Sequence, residues 1–152
     1  MSDWLEHSVQ VEIKAPMDLV WQEWSSFEKM PLWMKWIKSV TVPPETPHIS
    51  RWTLDTGGLE FSWQARMVDV IENKIIRWES VDGLPNRGAI RFYDRHDHSV
   101  VRLSVAYNIP TILKFLDSLF LGKAVEATIQ EDLERFRTHI LALQKTATHP
   151  QG

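Results

Sequence analysis

The chain has 152 residues, of which 43% are hydrophobic and 24% charged, an ordinary balance for a globular domain that buries a core. Its net charge of −3 provides no strong attraction to nucleic acid, and its lack of cysteine excludes disulfides, thiol nucleophiles and zinc–thiolate sites. Residues 1–14 contain no apolar run typical of a secretory signal, and no run reaches the ~18 apolar residues that span a bilayer. We therefore expect one cytoplasmic domain over residues 1–152, with a core at about 9–143 and a frayed tail at 146–152.

The first quarter of the chain predicts one strand followed by two short helices. Residues 9–13 alternate apolar and polar side chains, which is typical of a strand with one buried face. Pro16 ends this strand and suits the first position of a helix, after which apolar side chains recur at helical spacing. The segment 27–36 is rich in Met and Trp, and Pro31 within it predicts a second short helix or a helical turn.

Six more strands are predicted before residue 108, and the buried half of their pattern is unusually aromatic. Short strands at 37–42 and 49–55 precede four runs between 59 and 107 in which apolar and polar residues alternate. Alternation places one aromatic set on the inward face of these strands: Trp52, Phe61, Trp63, Trp78, Phe92 and Tyr107.

Turn residues separate the four runs and indicate how they connect. Thr56-Gly57-Gly58 predicts a tight hairpin, and residues 72–74 and 95–98 predict two more. A longer connection is expected to open at Asp82-Gly83 and to contain Pro85. Strands joined in this way favour an antiparallel sheet with one packed side.

After Asn108 the spacing of apolar residues changes from that of a strand to that of a helix. Apolar residues recur on one helical stripe from Val125 to Leu143, which predicts a long amphipathic helix from about 111 to 145, with Gly122 as a plausible hinge. The element order is therefore strand, two helices, six strands and a long helix. This order predicts an α+β helix-grip fold, in which a curved seven-stranded antiparallel sheet wraps around the C-terminal helix.

The same order and several local patterns resemble the START-like superfamily, also called SRPBCC or the birch-pollen-allergen-like fold. The patterns lie at 12–40, 75–80, 88–92 and 131–140, and the resemblance covers about 9–143. Within the superfamily the chain is similar to the polyketide cyclase/dehydrase group, which includes coenzyme-Q-binding proteins. The resemblance implies a deep apolar cavity between sheet and helix. Members bind lipids, quinones, polyketides or plant hormones, and some catalyse cyclisation or dehydration.

The resemblance favours the inward aromatic residues, as a set, as the wall of a ligand pocket. Periodicity alone favours plain core packing against the long helix, and it does not separate the two for any single residue. No cofactor and no metal are implied, and a lipid, quinone, isoprenoid or polyketide would be held by apolar burial worth about 25 cal/mol per Å². The candidate ligand-binding residues are Trp33, Trp36, Trp52, Phe61, Trp63, Trp78, Phe92, Tyr107, Phe115 and Leu119.

Tyr107 is the main candidate for polar chemistry. It ends the last predicted strand on the inward face, where its hydroxyl can bond a ligand carbonyl or quinone oxygen, or only solvent or backbone. If the protein is instead a cyclase or dehydratase, Tyr107 is its acid–base candidate, with Asp94 far behind because a turn position explains Asp94 better. His96 and His98 have the chemistry of metal ligands, but a solvated turn explains them more simply.

Two apolar segments suggest contacts beyond the cavity. Residues 30–36 interleave Met and Trp with lysines, which is consistent with a cavity lid, a cap on the sheet or peripheral membrane contact. Residues 112–121 are apolar on nearly all sides of a helix, which is consistent with deep burial, a homodimer contact or a membrane-docking surface. A protein-interaction scaffold is the third possible function, and it depends on an exposed patch at 115–121.

Overall fold

The computed structural model describes residues 4–108 and 118–148, with side chains described in 4–108 and 122–146. The predicted order of strand, two helices, six strands and long helix is confirmed. The elements are β1 (Trp4–Ile13), α1 (Met17–Ser25), a 3₁₀ helix (Phe27–Leu32), β2 (Ile37–Thr41), β3 (Ile49–Asp55), β4 (Glu60–Ile71), β5 (Ile75–Gly83), β6 (Asn86–Asp94), β7 (Ser99–Asn108) and α2 (Ser118–Thr148).

All seven strands form one antiparallel sheet in the order β1-β7-β6-β5-β4-β3-β2. Consecutive strands pair as hairpins from β2 to β7, and β1 joins the far edge by pairing with β7. The helices α1 and 3₁₀ carry the chain from one edge of the sheet to the other. The sheet curls into a half-barrel around α2, so the predicted helix-grip fold is confirmed.

Several boundaries differ from the predicted ones. The first strand begins at Trp4 and not at residue 9, because residues 4–8 continue the pairing with β7 up to Asn108. Helix α2 runs on to Thr148, past the predicted end at Lys145. Its predicted beginning near residue 111 lies outside the described residues.

The longer connection expected after Asp82 is wrong. Strand β5 continues to Gly83, and only Leu84 and Pro85 separate it from β6. Gly83 has a φ of +84°, and a Cβ at this position would overlap the backbone of Ser62 on β4. Glycine therefore lets β5 stay paired with β4 at the point where a larger residue would force the strands apart.

The core lies between the concave face of the sheet and one stripe of α2. That stripe is Ile129, Leu133, Phe136 and Ile140, all buried, as the helical spacing predicted. It packs against fully buried strand residues such as Ile13, Ile90 and Leu103. Among the described residues, no helix is long and apolar enough to cross a bilayer.

Candidate functional site

A cavity of about 420 Å³ lies between the curled sheet and α2. Strands β2 to β7, the 3₁₀ helix and the N-terminal half of α2 contribute to its wall. Six of the candidate residues line it: Trp36, Trp52, Phe61, Trp63, Trp78 and Tyr107. The wall receives Val125, Ile129 and Asp132 from α2, together with the small side chains of Ala124 and Thr128, which leave space unfilled.

Strands β3 and β4 build the most aromatic part of the wall. Trp52 and Trp63 lie opposite each other in the strand register, and their rings stack with centroids 6.0 Å apart and an interplanar angle of 6°. The indole N–H of Trp52 donates a hydrogen bond to Ser50 Oγ at 2.7 Å. Because this polar group is satisfied within the wall, the aromatic surface is left for apolar contact.

Strands β5 and β6 position Trp78 through a glycine beneath its ring and a hydrogen bond to its indole N–H. Gly88 lies opposite Trp78 in the register, and a Cβ on Gly88 would come within 2.6 Å of the indole ring. The ring therefore lies directly over the glycine, where any larger residue would displace it. Its Nε1 donates to Asn86 Oδ1 at 3.0 Å, which holds the ring in place at the cavity wall.

Two candidate residues, Trp33 and Phe92, lie in the packed core and are not among the residues that line the cavity. Trp33 is 1% exposed, and its ring centroid lies 4.8 Å from that of Phe136. Phe92 meets the ring of Trp21 edge-on at 5.2 Å, so α1 covers this end of the concave face. Phe115 and the side chain of Leu119 lie outside the described residues.

The segment after the 3₁₀ helix closes one side of the cavity and is bonded to α2. Met34 and Trp36 line the cavity from this segment, and Met30 lines it from the 3₁₀ helix itself. The backbone N–H of Lys35 donates to Asp132 Oδ1 at 3.0 Å on α2. Arg135 Nε donates to the carbonyl oxygen of Trp33, also at 3.0 Å.

Asp132 is a cavity-lining acid that the sequence analysis missed. It is buried, it pairs with Arg135, and burial raises its pKa above the ordinary value despite that pairing. A signal was present in the sequence, since Asp132 lies three residues after Ile129 and four before Phe136, on the buried stripe of the helix. An acid is rarely fully buried unless it is paired, as Asp132 is with Arg135 and the Lys35 N–H.

At β7 the cavity wall includes a phenol that is bonded to an imidazole. Tyr107 Oη lies 3.0 Å from His7 Nε2, and the two rings stack with centroids 5.6 Å apart. His7 Nδ1 in turn lies 3.5 Å from Glu126 Oε1 on α2. Burial raises the pKa of Tyr107 to about 12, so its hydroxyl keeps its proton at neutral pH.

His7 was also missed, although the alternation of β1 extended backwards from Val9 places it on the inward face. Its contact with Tyr107 joins residues 100 positions apart. The neighbour of Tyr107, Asn108, lines the cavity as well, and its buried Oδ1 has no hydrogen-bond partner among the described residues. Tyr107 and Asn108 therefore place two neighbouring polar groups at the end of β7, in addition to Asp132 on α2.

The last hairpin lies away from the cavity. Asp94 is the exposed last residue of β6, and its Oδ1 accepts the backbone N–H of His96 at 2.8 Å. His98 Nδ1 contacts Asp97 at 2.6 Å. In the part of the chain that the structure describes, no three histidines or acids are grouped as metal ligands.

A family model described as polyketide cyclase / dehydrase and lipid transport matches residues 13–137. The chain belongs to this family. No curated protein matches the chain.

Several solved structures share the fold of this chain. A protein from Thermus thermophilus has a TM-score of 0.78 at 21% identity, covering 91% of this chain and 99% of that chain. A START superfamily protein from Mycobacterium smegmatis has a TM-score of 0.76 at 15% identity, covering 91% and 98%. The Zhui aromatase/cyclase from a Streptomyces species has a TM-score of 0.70 at 15% identity, covering 98% of each chain.

At these identities the solved structures establish the shared fold alone. Family and fold together support a START-like fold for hydrophobic ligand binding or polyketide cyclisation. Within that range, the apolar cavity and its few polar groups are the features from which a specific function can be argued.

Proposed function

We propose that this family member binds a hydrophobic small molecule in the cavity between the sheet and α2, and carries or sequesters it. The observation that supports the proposal is the cavity itself, with its volume of about 420 Å³ and its largely apolar wall. Small-molecule sites typically occupy about 300–1,000 Å³ and have such walls. Removing apolar area from water yields about 25 cal/mol per Å², so the wall area supplies the affinity.

The ligand class is a lipid, quinone, isoprenoid or polyketide-like molecule, with coenzyme-Q-like quinones among the candidates. Each combines a large apolar surface with few polar atoms. The wall matches that chemistry, because its polar groups are few and two of them, Tyr107 and Asn108, are neighbours on β7. One polar end of a ligand would be oriented there, while the aromatic residues of β3 to β5 contact the remainder.

The first experiment is native mass spectrometry of the purified protein, followed by organic extraction and identification of the bound molecule. A stoichiometric hydrophobic ligand is the expected result. If neither a co-purified ligand nor any of a panel of lipids, quinones and polyketides binds the protein, the proposal is wrong.

A matched pair of variants on α2 locates the site. Ala124 lines the cavity, whereas Ala127, one turn along the same helix, is exposed. Ala124→Trp places an indole in the space that the ligand needs and is expected to weaken binding roughly tenfold or more, which is about 1.4 kcal/mol. Ala127→Trp makes the same chemical change outside the cavity and is expected to leave the affinity unchanged.

A cyclase or dehydratase is the second candidate function, and Asp132 is the observation that favours it. A cavity acid whose pKa is raised by burial can act as a proton donor, as can Tyr107, whose pKa is also raised. The test is to incubate the extracted molecule with fresh wild-type protein and with Asp132→Asn, and to follow its mass and chromatographic retention. Conversion by the wild type alone favours the enzyme, whereas an unchanged molecule in both favours the carrier.

Two further proposals concern the setting of the domain. Residues 1–152 would form one cytoplasmic domain. Residues 30–36 would meet a membrane peripherally, which the 65% exposure of Leu32 beside exposed Lys29 and Lys35 supports. Residues 112–117 and the side chains of 118–121, on which a homodimer, a second membrane contact or a scaffold role depends, lie outside the described residues.

A further inference from the structure

Glu126, His7 and Tyr107 form a chain of contacts that runs from the surface to the cavity. The carboxylate of Glu126 on α2 is 57% exposed, whereas the imidazole of His7 on β1 is 9% exposed. Tyr107 lies between His7 and the cavity that it lines. Each of the three groups comes from a different element, so the chain of contacts exists only in the folded protein.

The carboxylate of Glu126 decides which nitrogen of a neutral His7 carries the proton. A carboxylate has only acceptor atoms, and Glu126 Oε1 lies 3.5 Å from His7 Nδ1. A lone pair on Nδ1 would face this negative charge, whereas an N–H bond there is attracted to it. The favoured tautomer therefore carries its hydrogen on Nδ1 and leaves Nε2 as an acceptor.

The tautomer of His7 in turn directs the hydroxyl of Tyr107. With Nε2 as an acceptor at 3.0 Å, the Tyr107 O–H donates to His7. The lone pairs of Tyr107 Oη are then the groups that remain for a ligand in the cavity. Donation to His7 also polarises the phenol and strengthens it as an acceptor. The buried Oδ1 of Asn108, which has no partner among the described residues, adds a second acceptor beside it.

We propose that the cavity selects a ligand whose polar end is a hydroxyl or another hydrogen-bond donor, in preference to an analogue whose polar end is a carbonyl. This selection rests on the proposed function, since it assigns the chemistry of the group that meets β7. It reverses the expectation that Tyr107 donates to a ligand carbonyl. His7 acts here through Tyr107 and is a positioning residue.

Two naphthalene probes of similar size test the selection. 2-Naphthol carries a donor, whereas 2-acetylnaphthalene carries only an acceptor. Their dissociation constants are measured by calorimetry at pH 8, where an imidazole is ordinarily neutral, for the wild type, Tyr107→Phe, His7→Phe and the exposed-site control His48→Phe. The ratio of the two constants is compared between proteins, so that the different hydrophobicities of the probes cancel.

The wild type is expected to favour 2-naphthol roughly 3- to 10-fold more than Tyr107→Phe does, the value of one neutral hydrogen bond. His7→Phe keeps the ring stacking but frees the Tyr107 O–H, so the preference should shift toward 2-acetylnaphthalene. His48→Phe should retain the wild-type ratio. If both probes bind and all four proteins give the same ratio, the selection is wrong while the proposed function stands. If neither probe binds the wild type, the selection is wrong, whereas the proposed function is decided separately by native mass spectrometry and the panel of lipids, quinones and polyketides.

Discussion

The two ends of the concave face are built from the same residue types, but one is packed and the other is open. At the packed end, Trp24 and Trp33 meet Phe136 with ring centroids 5.0 and 4.8 Å away. At the open end, Trp52 and Trp63 stack along the wall and face the cavity. Aromatic content therefore does not decide whether a region is core or pocket.

The difference comes from the helices that face the sheet. Over the packed end, α1 and the large side chains of α2, such as Phe136 and Ile140, fill the space. Over the open end, α2 presents Ala124 and Thr128, and α1 is absent from the described lining apart from its Trp24. The size of the α2 side chains therefore determines how much space stays empty, because protein interiors otherwise pack as densely as crystals of small molecules.

Truncating one aromatic residue at each end should give the largest difference in the free energy of unfolding. Phe136→Ala is expected to lower the free energy of unfolding by ~3–5 kcal/mol, because it opens a cavity among fully buried rings. Phe61→Ala, at a wall that already borders a void, should cost roughly 1 kcal/mol. Urea denaturation of both variants measures this. Equal losses would contradict the division into a packed and an open end.

Replacing one valine at each end by a larger residue tests the same division by adding volume instead of removing it. Val20 on α1 is fully buried, whereas Val105 on β7 lines the cavity. Val20→Phe is expected to destabilise the protein by ~1–3 kcal/mol through overpacking. Val105→Phe can direct its ring into the cavity and should cost less than about 1 kcal/mol, while it weakens ligand binding. A reversed order of stability in thermal denaturation would show that the void is not available to a side chain.

At the packed end, an ion network surrounds the buried carboxylate of Glu23. Glu23 accepts hydrogen bonds from His139 Nε2 at 2.7 Å and Lys29 Nζ at 2.9 Å. Burial opposes the ionisation of Glu23, but these bonds and charges outweigh it and hold the pKa of Glu23 below its ordinary value. Glu23→Gln is expected to cost ~1–3 kcal/mol at pH 7 because the charge-assisted bonds are lost.

The pH dependence of that loss has a definite sign. Since the folded pKa of Glu23 is lowered, its stabilisation is present above the unfolded value near 4.5 and is lost as the pH falls through the folded pKa. The wild type and Glu23→Gln should therefore converge in urea denaturation as the pH falls below 4.5 and through the lowered folded pKa of Glu23. The exposed Glu12→Gln on β1 is the control and should show no such convergence.

Asp132 should have the smallest effect on stability, and the pH dependence of that effect should be opposite to that of Glu23. Because its folded pKa is raised, the protonated form of Asp132 stabilises the folded state fully only below the unfolded value of 3.8, and this stabilisation is lost as the pH rises through the folded pKa. Asp132→Asn keeps an oxygen for the Lys35 N–H and should gain stability relative to the wild type as the pH rises above 3.8. Unfolding curves across that range check this, and a variant that loses relative stability as pH rises would contradict the raised pKa of Asp132.

Much of the fold was predictable because its signals are local. The alternation at 9–13 and from 59 to 107 predicts strands, and the stripe from Val125 to Leu143 predicts the helix that the sheet grips. The boundary error at Asp82-Gly83 arose because a glycine followed closely by a proline is typical of a loop. The register with β4 keeps this glycine in a strand.

The site was predictable only in part. The alternation placed Trp52, Trp63 and Phe92 on the same inward face, but it contains no information on what faces each of them. His7 and Asp132 carried a periodic signal as well. Their place in the site depends on contacts between distant residues. His7 contacts Tyr107, which is 100 residues away, and Asp132 accepts the backbone N–H of Lys35, which is 97 residues away.

The sequence by itself determined the element order, the antiparallel sheet with one apolar face and the amphipathic C-terminal helix, because side-chain periodicity is a property of neighbouring residues. Only the tertiary structure decided which inward aromatics pack and which line a cavity. That outcome depends on α1 covering one end of the sheet and on small residues of α2 facing the other. The pairing of His7 with Tyr107 and Glu126 is likewise tertiary, since three separate elements must meet before a proton can be assigned to one nitrogen.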